Sequence, residues 1–376
     1  MRRHRLTAVA FATLATMIGL PGRAEIGWEP SRTWVFAVGI LEWEHGDIYS
    51  SFPDAMPNRA DRRLVAAITS AGVPDHQVVF LKDEKATLAA IRRAFESQLD
   101  RTKEGDLLIF YFAGHGSRDR ETRATYFANY DAGSTYASHW PVKEIFDTIN
   151  ARFSGDQAIL MADCCHSGAM VDEARKRQED LSCACLTSSS SHNSSTGNWT
   201  FTEAMVKGFE GSPWVDADGD GEVEVQEMAL YAELDMAFLE HQKAMFIATD
   251  DFDSDLAIAD TEGTPAEGLG RHVEVEWKGT WYPAQVIGVG EEQEKVHYVD
   301  FDAAWDEWVS PDRVRTPRVP HVPKGTRVEV LWPQDKTWYP ATVMASQFGL
   351  HKVHYDGYSH EWDDWVAFKS IKVLDE

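Results

Sequence analysis

Two short segments carry residues whose types and spacing suit covalent chemistry. Gly114-His115-Gly116 ends the apolar run 107–112, and Asp163-Cys164-Cys165-His166-Ser167-Gly168 ends the run 158–162. The histidine precedes Cys165 by 50 positions. A thiol and an imidazole at neighbouring strand ends make a nucleophile and its base. The thiolate is the attacking form, and the imidazole takes the thiol proton and later returns it to a leaving amine. Glycines beside both residues let substrate backbone approach closely. His166 adjoins the nucleophile, points away from it, and reads as structural.

A second constellation suits a hard cation. Asp216, Asp218 and Asp220 stand at positions 1, 3 and 5 of a twelve-residue run that ends in Glu227. Gly221 falls at position 6, where a sharp turn is needed. Glu222 would offer its backbone carbonyl at position 7, and Val223 is the aliphatic residue at position 8. This is the pattern of an EF-hand calcium loop. Ca2+ is the one cofactor expected; no organic cofactor is.

The elements that must position these residues follow from periodicity. Segments 34–40, 77–81, 107–112, 158–162 and 181–186 read as strands. They alternate with helical patterns at 60–70, 87–99, 142–149 and from 201. Such alternation implies an α/β domain over 31–260, with a mostly parallel sheet covered by helices on both faces. Functional groups gather at the carboxyl ends of such strands. His115 and Cys165 both fall there. Cys183 and Cys185 share one face of a strand and are expected as buried thiols, with a bridge from one of them to Cys164 as the alternative.

The composition changes after a linker at 261–270. Val273-Glu-Val-Glu-Trp277, Trp281-Tyr282-Pro283-Ala284, Val296-His297-Tyr298 and Trp305-Asp-Glu-Trp308 recur as Val328-Glu-Val-Leu-Trp332, Trp338-Tyr339-Pro340-Ala341, Val353-His354-Tyr355 and Trp362-Asp-Asp-Trp365. This internal repeat, with short alternating strands, predicts two small all-β barrels at 271–316 and 325–374.

The chain has 376 residues and a formal charge of −25. The excess of acid argues against nucleic acid as a partner. Residues 1–24 start with Arg2, Arg3 and Arg5, continue through an apolar stretch and end in small residues. They read as a cleaved secretory signal, so the expected location is outside the cytoplasm, periplasmic or secreted. Removing the segment's four arginines, Arg23 being the fourth, and no acids would take the charge to about −29. No later segment is long and apolar enough to span a membrane.

The histidine and cysteine segments together resemble caspase-like cysteine peptidases, in particular the metacaspase-like branch, over about 31–260. The resemblance implies His115 as base, Cys165 as nucleophile, and the amides of Gly116 and Cys165 as oxyanion hole. It also implies an acidic pocket for Arg, with Lys second, formed by Asp163 and Asp61. Substrates would be proteins or peptides with basic residues. Arg175-Lys176-Arg177, just beyond the nucleophile, is where self-processing is expected. The C-terminal repeats resemble Tudor-like or chromo-barrel modules. There Trp281, Tyr298, Trp305 and Trp308, and Trp338, Tyr355, Trp362 and Trp365, would cage a cation, with Asp306 and Asp363 adding charge. A cationic or proline-rich peptide is the expected ligand, and the barrels would recruit substrate or partner. The competing reading is a catalytically silent binding or adaptor protein on a caspase-like scaffold.

Overall fold

A computed structural model describes residues 28–261 and 270–374, apart from 300, 302, 318–320, 333–334 and 348. The signal reading at 1–24 and nearly all of the linker lie outside the described residues. Among those described, no helix is long and apolar enough to cross a membrane.

The first domain runs β1 (Thr33–Gly39), α1 (Ala60–Ser70), β2 (Val78–Lys82), α2 (Leu88–Leu99) and β3 (Leu107–Ala113). A small meander follows: β4 (Gly116–Arg118), β5 (Thr125–Phe127) and β6 (Trp140–Pro141). Next come α3 (Val142–Arg152), β7 (Gln157–Asp163), α4 (Ala169–Arg175), β8 (Cys183–Thr187) and α5 (Thr200–Phe209). The domain closes with β9 (Glu222–Glu224), α6 (Val225–Leu239), β10 (Met245–Ala248) and β11 (Ala257–Asp260). The main sheet has the order β10-β8-β7-β3-β1-β2, and only β10 is antiparallel.

The central strands are apolar on both faces because both faces are covered. In β3, Ile109 and Tyr111 face α1, α5 and α6, whereas Leu108, Phe110 and Phe112 face α2, α3 and α4. Full burial of such side chains stabilises by roughly 1.5–3 kcal/mol each. Cys183 and Cys185 are buried on the second face, and all four cysteines are free thiols. The segment between His115 and α3 holds the meander. Its short strands brace β4 beside the end of β3.

Each C-terminal repeat is a curled five-stranded antiparallel sheet, a half-barrel. The first comprises β12 (His272–Trp277), β13 (Thr280–Val289), β14 (Glu294–Tyr298), β15 (Glu307–Val309) and β16 (Val314–Arg315). The second comprises β17 (Arg327–Trp332), β18 (Thr337–Gln347), β19 (Leu350–Tyr355), β20 (Asp364–Ala367) and β21 (Ile371–Val373). A register shift at Val286/Gly288, repeated at Val343/Ala345, bends the long second strand of each. Small aliphatics fill the cores: Val273, Val275, Val286 and Val296 in one, Val328, Val330, Val343 and Val353 in the other.

Candidate active site, metal loop and aromatic cages

β3 and β7 are adjacent and in parallel register, Ala113 opposite Asp163. The turns that leave them therefore start side by side. Gly116 is required here: a Cβ on it would lie 1.9 Å from the carbonyl oxygen of Cys165. His166 adopts a left-handed backbone, φ 60°, and its amide is held by the Asn193 carbonyl. That turn lifts Cys165 to the surface and leaves Cys164 buried beneath. Burial pushes the Cys164 thiol far above its ordinary value. Cys164 is thus the inert member of the pair.

His115 sits in an aromatic box, with ring centroids 4.5 Å from Trp43, 4.8 Å from Phe52 and 5.4 Å from Tyr49. Its Nε2 lies 2.9 Å from the Ser50 carbonyl oxygen. A carbonyl only accepts, so Nε2 carries the hydrogen and Nδ1 is the basic nitrogen. Burial lowers the His115 pKa and the Ser50 hydrogen bond partly restores it. The imidazole is therefore neutral at pH 7, as a base must be. The box and the Ser50 carbonyl were missed from sequence. The crowding of Trp43, Tyr49 and Phe52 was the available signal for the box; a backbone carbonyl leaves none.

A small cavity of about 80 Å³ joins His115, Cys165 and Asp163 to Ser195, Gly197 and Trp199. The Cys165 Sγ accepts from the Ser195 amide at 3.3 Å and lies 3.8 Å from the Ser195 carbonyl. The loop 188–199 thus caps the thiol. Asp163 lies at the cavity's base. Its Oδ2 accepts from Thr202 Oγ1 at 2.6 Å and from the Thr202 amide at 3.3 Å, while burial raises its pKa.

Asp61 is placed differently from the expectation. It is buried, and Arg59 holds it in a bidentate pair with Nε–Oδ1 3.0 Å and Nη2–Oδ2 2.7 Å. Arg59 also bonds Asp83 at 2.5 Å and the Gly39 carbonyl at 2.9 Å. Asp61 does not line the cavity. A guanidinium two residues away reaches its carboxylate first, a competition that local matching does not reveal.

Around Arg175-Lys176-Arg177, α4 ends in a web of ion pairs. Arg177 bonds Glu173 and Asp147, and Lys176 bonds Glu173 at 2.7 Å.

The acidic loop folds as its spacing demands. Asp216, Asp218 and Glu227 bring carboxylate oxygens within 4.8 Å of one another. Gly221 takes φ 100°. The oxygens of Asp216 accept from the amides of Gly219 at 2.6 Å and Gly221 at 3.1 Å, and Asp220 accepts from the Glu222 amide at 2.9 Å. Glu227 accepts from the Ala217 amide at 2.7 Å and closes a capping box with Glu224 at the start of α6. The loop's short strand β9 pairs with β11 in the same domain. A second loop is not needed to complete that ladder.

Both half-barrels carry an aromatic ring at one end. In the second, Trp332, Tyr339, Tyr355, Tyr358 and Trp362 line a cavity of about 240 Å³. In the first, Trp277, Tyr282, Tyr298, Phe301 and Trp305 pack edge to face, with centroids 5.9–6.3 Å apart. Tyr298, Trp305, Tyr355 and Trp362 were expected in these rings and lie there. The other four expected residues lie elsewhere. Trp281 and Trp338 face outward, covered by Arg315 at 3.7 Å and Lys372 at 3.6 Å. Trp308 is exposed, and Trp365 is buried against α6. Asp306 and Asp363 hold His297 at 2.7 Å and His354 at 2.6 Å and do not stand free.

Comparison with known proteins gives the family. A caspase-domain family model matches residues 60–255, just over half of the chain. The chain belongs to the caspase-domain family and has a cysteine-peptidase fold. A second model, the Tudor-knot, described as the RNA-binding-activity knot of a chromodomain, matches residues 268–316. Metacaspase-9 of Arabidopsis thaliana is 25% identical over 144 residues, 36% of this chain and 43% of that protein. Metacaspase-7 of the same plant is 29% identical over 90 residues, 23% of this chain and 22% of that one. The chain thus spans less than half the length of these curated relatives. Among solved structures, a Geobacter sulfurreducens protein is matched at a TM-score of 0.41 and 13% identity, covering 61% of this chain and all of that one. The Drosophila initiator caspase Dronc is matched at a TM-score of 0.40 and 8% identity, covering 67% and 95%.

Proposed function

We propose that the protein is a cysteine endopeptidase that cleaves after basic residues, Arg before Lys. The observation that carries this is the junction of Gly116 on Cys165, with a neutral His115 oriented from behind by Ser50. His115 Nδ1 takes the Cys165 proton. The thiolate attacks the scissile carbonyl, and the amides of Gly116 and Cys165 receive the oxyanion. The imidazolium then protonates the leaving amine, and a water activated by His115 hydrolyses the thioester. Asp163 at the base of the cavity meets the substrate's cation through a charge-assisted hydrogen bond. Self-cleavage at 175–177 would first have to unravel the ion pairs there.

The loop 216–227 would hold Ca2+ through Asp216, Asp218, Asp220, the Glu222 carbonyl and Glu227, and the ion would stiffen the start of α6. Binding is tested by the melting temperature with calcium or chelator, and no shift would discard it. The half-barrel rings suit a cationic side chain, since π faces attract cations and the chain's net charge opposes a phosphate backbone. Export rests on the basic-then-apolar opening at 1–24.

The central test is hydrolysis of Arg-, Lys- and Asp-terminated fluorogenic peptides, beside Cys165→Ala and Asp163→Asn. Arg cleavage should vanish in the first variant and fall at least tenfold in the second. Absence of any hydrolysis would leave the binding-protein reading.

A further inference from the structure

The loop that caps Cys165 is held by the segment between α6 and β10 and by the second half-barrel. Gln242, just past α6, accepts from the Thr196 amide at 3.0 Å and donates to Ser195 Oγ at 3.2 Å and to the Ser188 carbonyl. Glu240 accepts from Asn198 Nδ2 at 3.0 Å and from the Thr200 hydroxyl. The next residue along, Lys243, donates to the main-chain carbonyl of Asp363 in the second half-barrel. That half-barrel also reaches the loop directly. The indole of Trp362 stacks on His192 with centroids 5.6 Å apart and planes 14° apart. His192 Nδ1 lies 3.0 Å from Arg118 Nη1, and the same guanidinium donates to the Ser191 carbonyl. Arg118 lies in β4, two residues beyond Gly116. Trp365 and Leu350 dock the half-barrel on Leu234, Ala237 and Phe238 of α6, which fixes Trp362 over the loop.

We propose that the second half-barrel is an internal brake: docked on α6, it clamps the loop 188–199 over Cys165, and the thiol is released when the Trp362–His192 contact opens. Trp362 is one wall of the aromatic cage, so one side chain belongs both to the cation site and to the clamp. A cationic peptide whose flanking chain lies across Trp362 would displace His192 and free the thiol. The regulatory part of this inference rests on the peptidase reading; the clamp itself does not.

The test is alkylation of Cys165 by iodoacetamide in the full chain, followed by peptide mass spectrometry, which needs no catalysis. Cys164, Cys183 and Cys185 are buried and serve as internal controls. His192→Ala and Trp362→Ala should each speed Cys165 modification several-fold, and the double variant should be no faster than either single one. His192→Ala leaves the cage intact and changes a side chain that is itself exposed, so it remains informative if Trp362→Ala folds poorly. Wild-type rates in a folded His192→Ala protein would overturn the brake, as would additive effects in the double variant. Faster alkylation with no peptide hydrolysis would keep the clamp and remove the peptidase. Cys165-dependent hydrolysis at unchanged rates would do the reverse.

Discussion

The two half-barrels share a fold, a core and a ring of five aromatics, yet equivalent residues meet different fates. Trp308 is 48% exposed, whereas its counterpart Trp365 is 8% exposed, packed from β20 against α6. Glu307 forms a surface pair with Arg313 at 2.8 Å, and the arginine's hydrogen bond holds its pKa below the usual carboxylate range. Its counterpart Asp364 lies at the α6 interface, where burial pushes it up to about 6. The ring of the first copy has Lys278 at 4.2 Å over Trp277, whereas the ring of the second encloses a cavity. Duplication supplied two like modules. Both dock on α6, the first through His272 and Gln285 on Asp235 and His272 stacked on Phe238, the second through Trp365 and Leu350; they differ in which side chains the helix covers.

The largest difference lies in the docking tryptophan. Trp365→Ala removes a bulky side chain from a closed interface and should cost about 3 kcal/mol. Trp308→Ala, at the exposed counterpart position of the first copy, should stay within about 0.5 kcal/mol of wild type. Urea unfolding of the full chain checks both. Equal losses would mean that the apparent docking contributes nothing and that the copies are energetically alike.

That contrast was hidden in the sequence, where both tryptophans sit in the same Trp-Asp-acid-Trp frame. The fold was legible because each apolar run had the length and alternation of its element. His115 and Cys165 were legible because they follow directly from such runs. The cage was legible only in part. Neighbouring residues of a strand face opposite sides, so of Trp338-Tyr339 only one could enter the ring, and the bulkier one went outward under Lys372. Trp332, at a strand end, and Tyr358, in a turn, joined it through the curl of the sheet, which periodicity does not encode. Asp61 failed for another reason. Its partner Arg59 stands in plain view two residues earlier, but what it reaches depends on Gly39 at the end of β1 and Asp83 just past β2.

The acidic counterparts give a second, smaller contrast, read by pH. Asp364 and its neighbour across the interface, Glu233, both have pKa values raised by burial to about 6, although Lys243 and Lys352 face them and act the other way. Unfolded, such groups titrate near about 4. Between about pH 4 and 6 the folded chain therefore binds more protons than the unfolded chain, so stability falls as pH rises through that window. Melting temperature should climb by a few degrees from pH 7 to 5.5, and Asp364→Asn should flatten the slope. Glu307 has the opposite sign: its contribution is present above the unfolded pKa and lost as pH falls through its depressed value. Glu307→Gln should leave the slope between pH 7 and 5.5 as in wild type. An unaltered slope in Asp364→Asn would remove the interface as its cause.

The smallest effect concerns ligand access to the rings. Lys278 occupies one face of Trp277, and its charge repels a cation nearby. A cation on an exposed aromatic face gains about 0.5–1 kcal/mol. In a Trp332→Ala background, where the second ring is broken, Lys278→Ala should tighten binding of a trimethyllysine peptide to the first ring by about two- to fivefold. Calorimetric titration reads this directly. Unchanged affinity would mean that Lys278 covers a face the ligand never visits. A gain would show that the first copy is tuned by its own turn, which in the second copy is replaced by a longer one between Trp332 and Thr337.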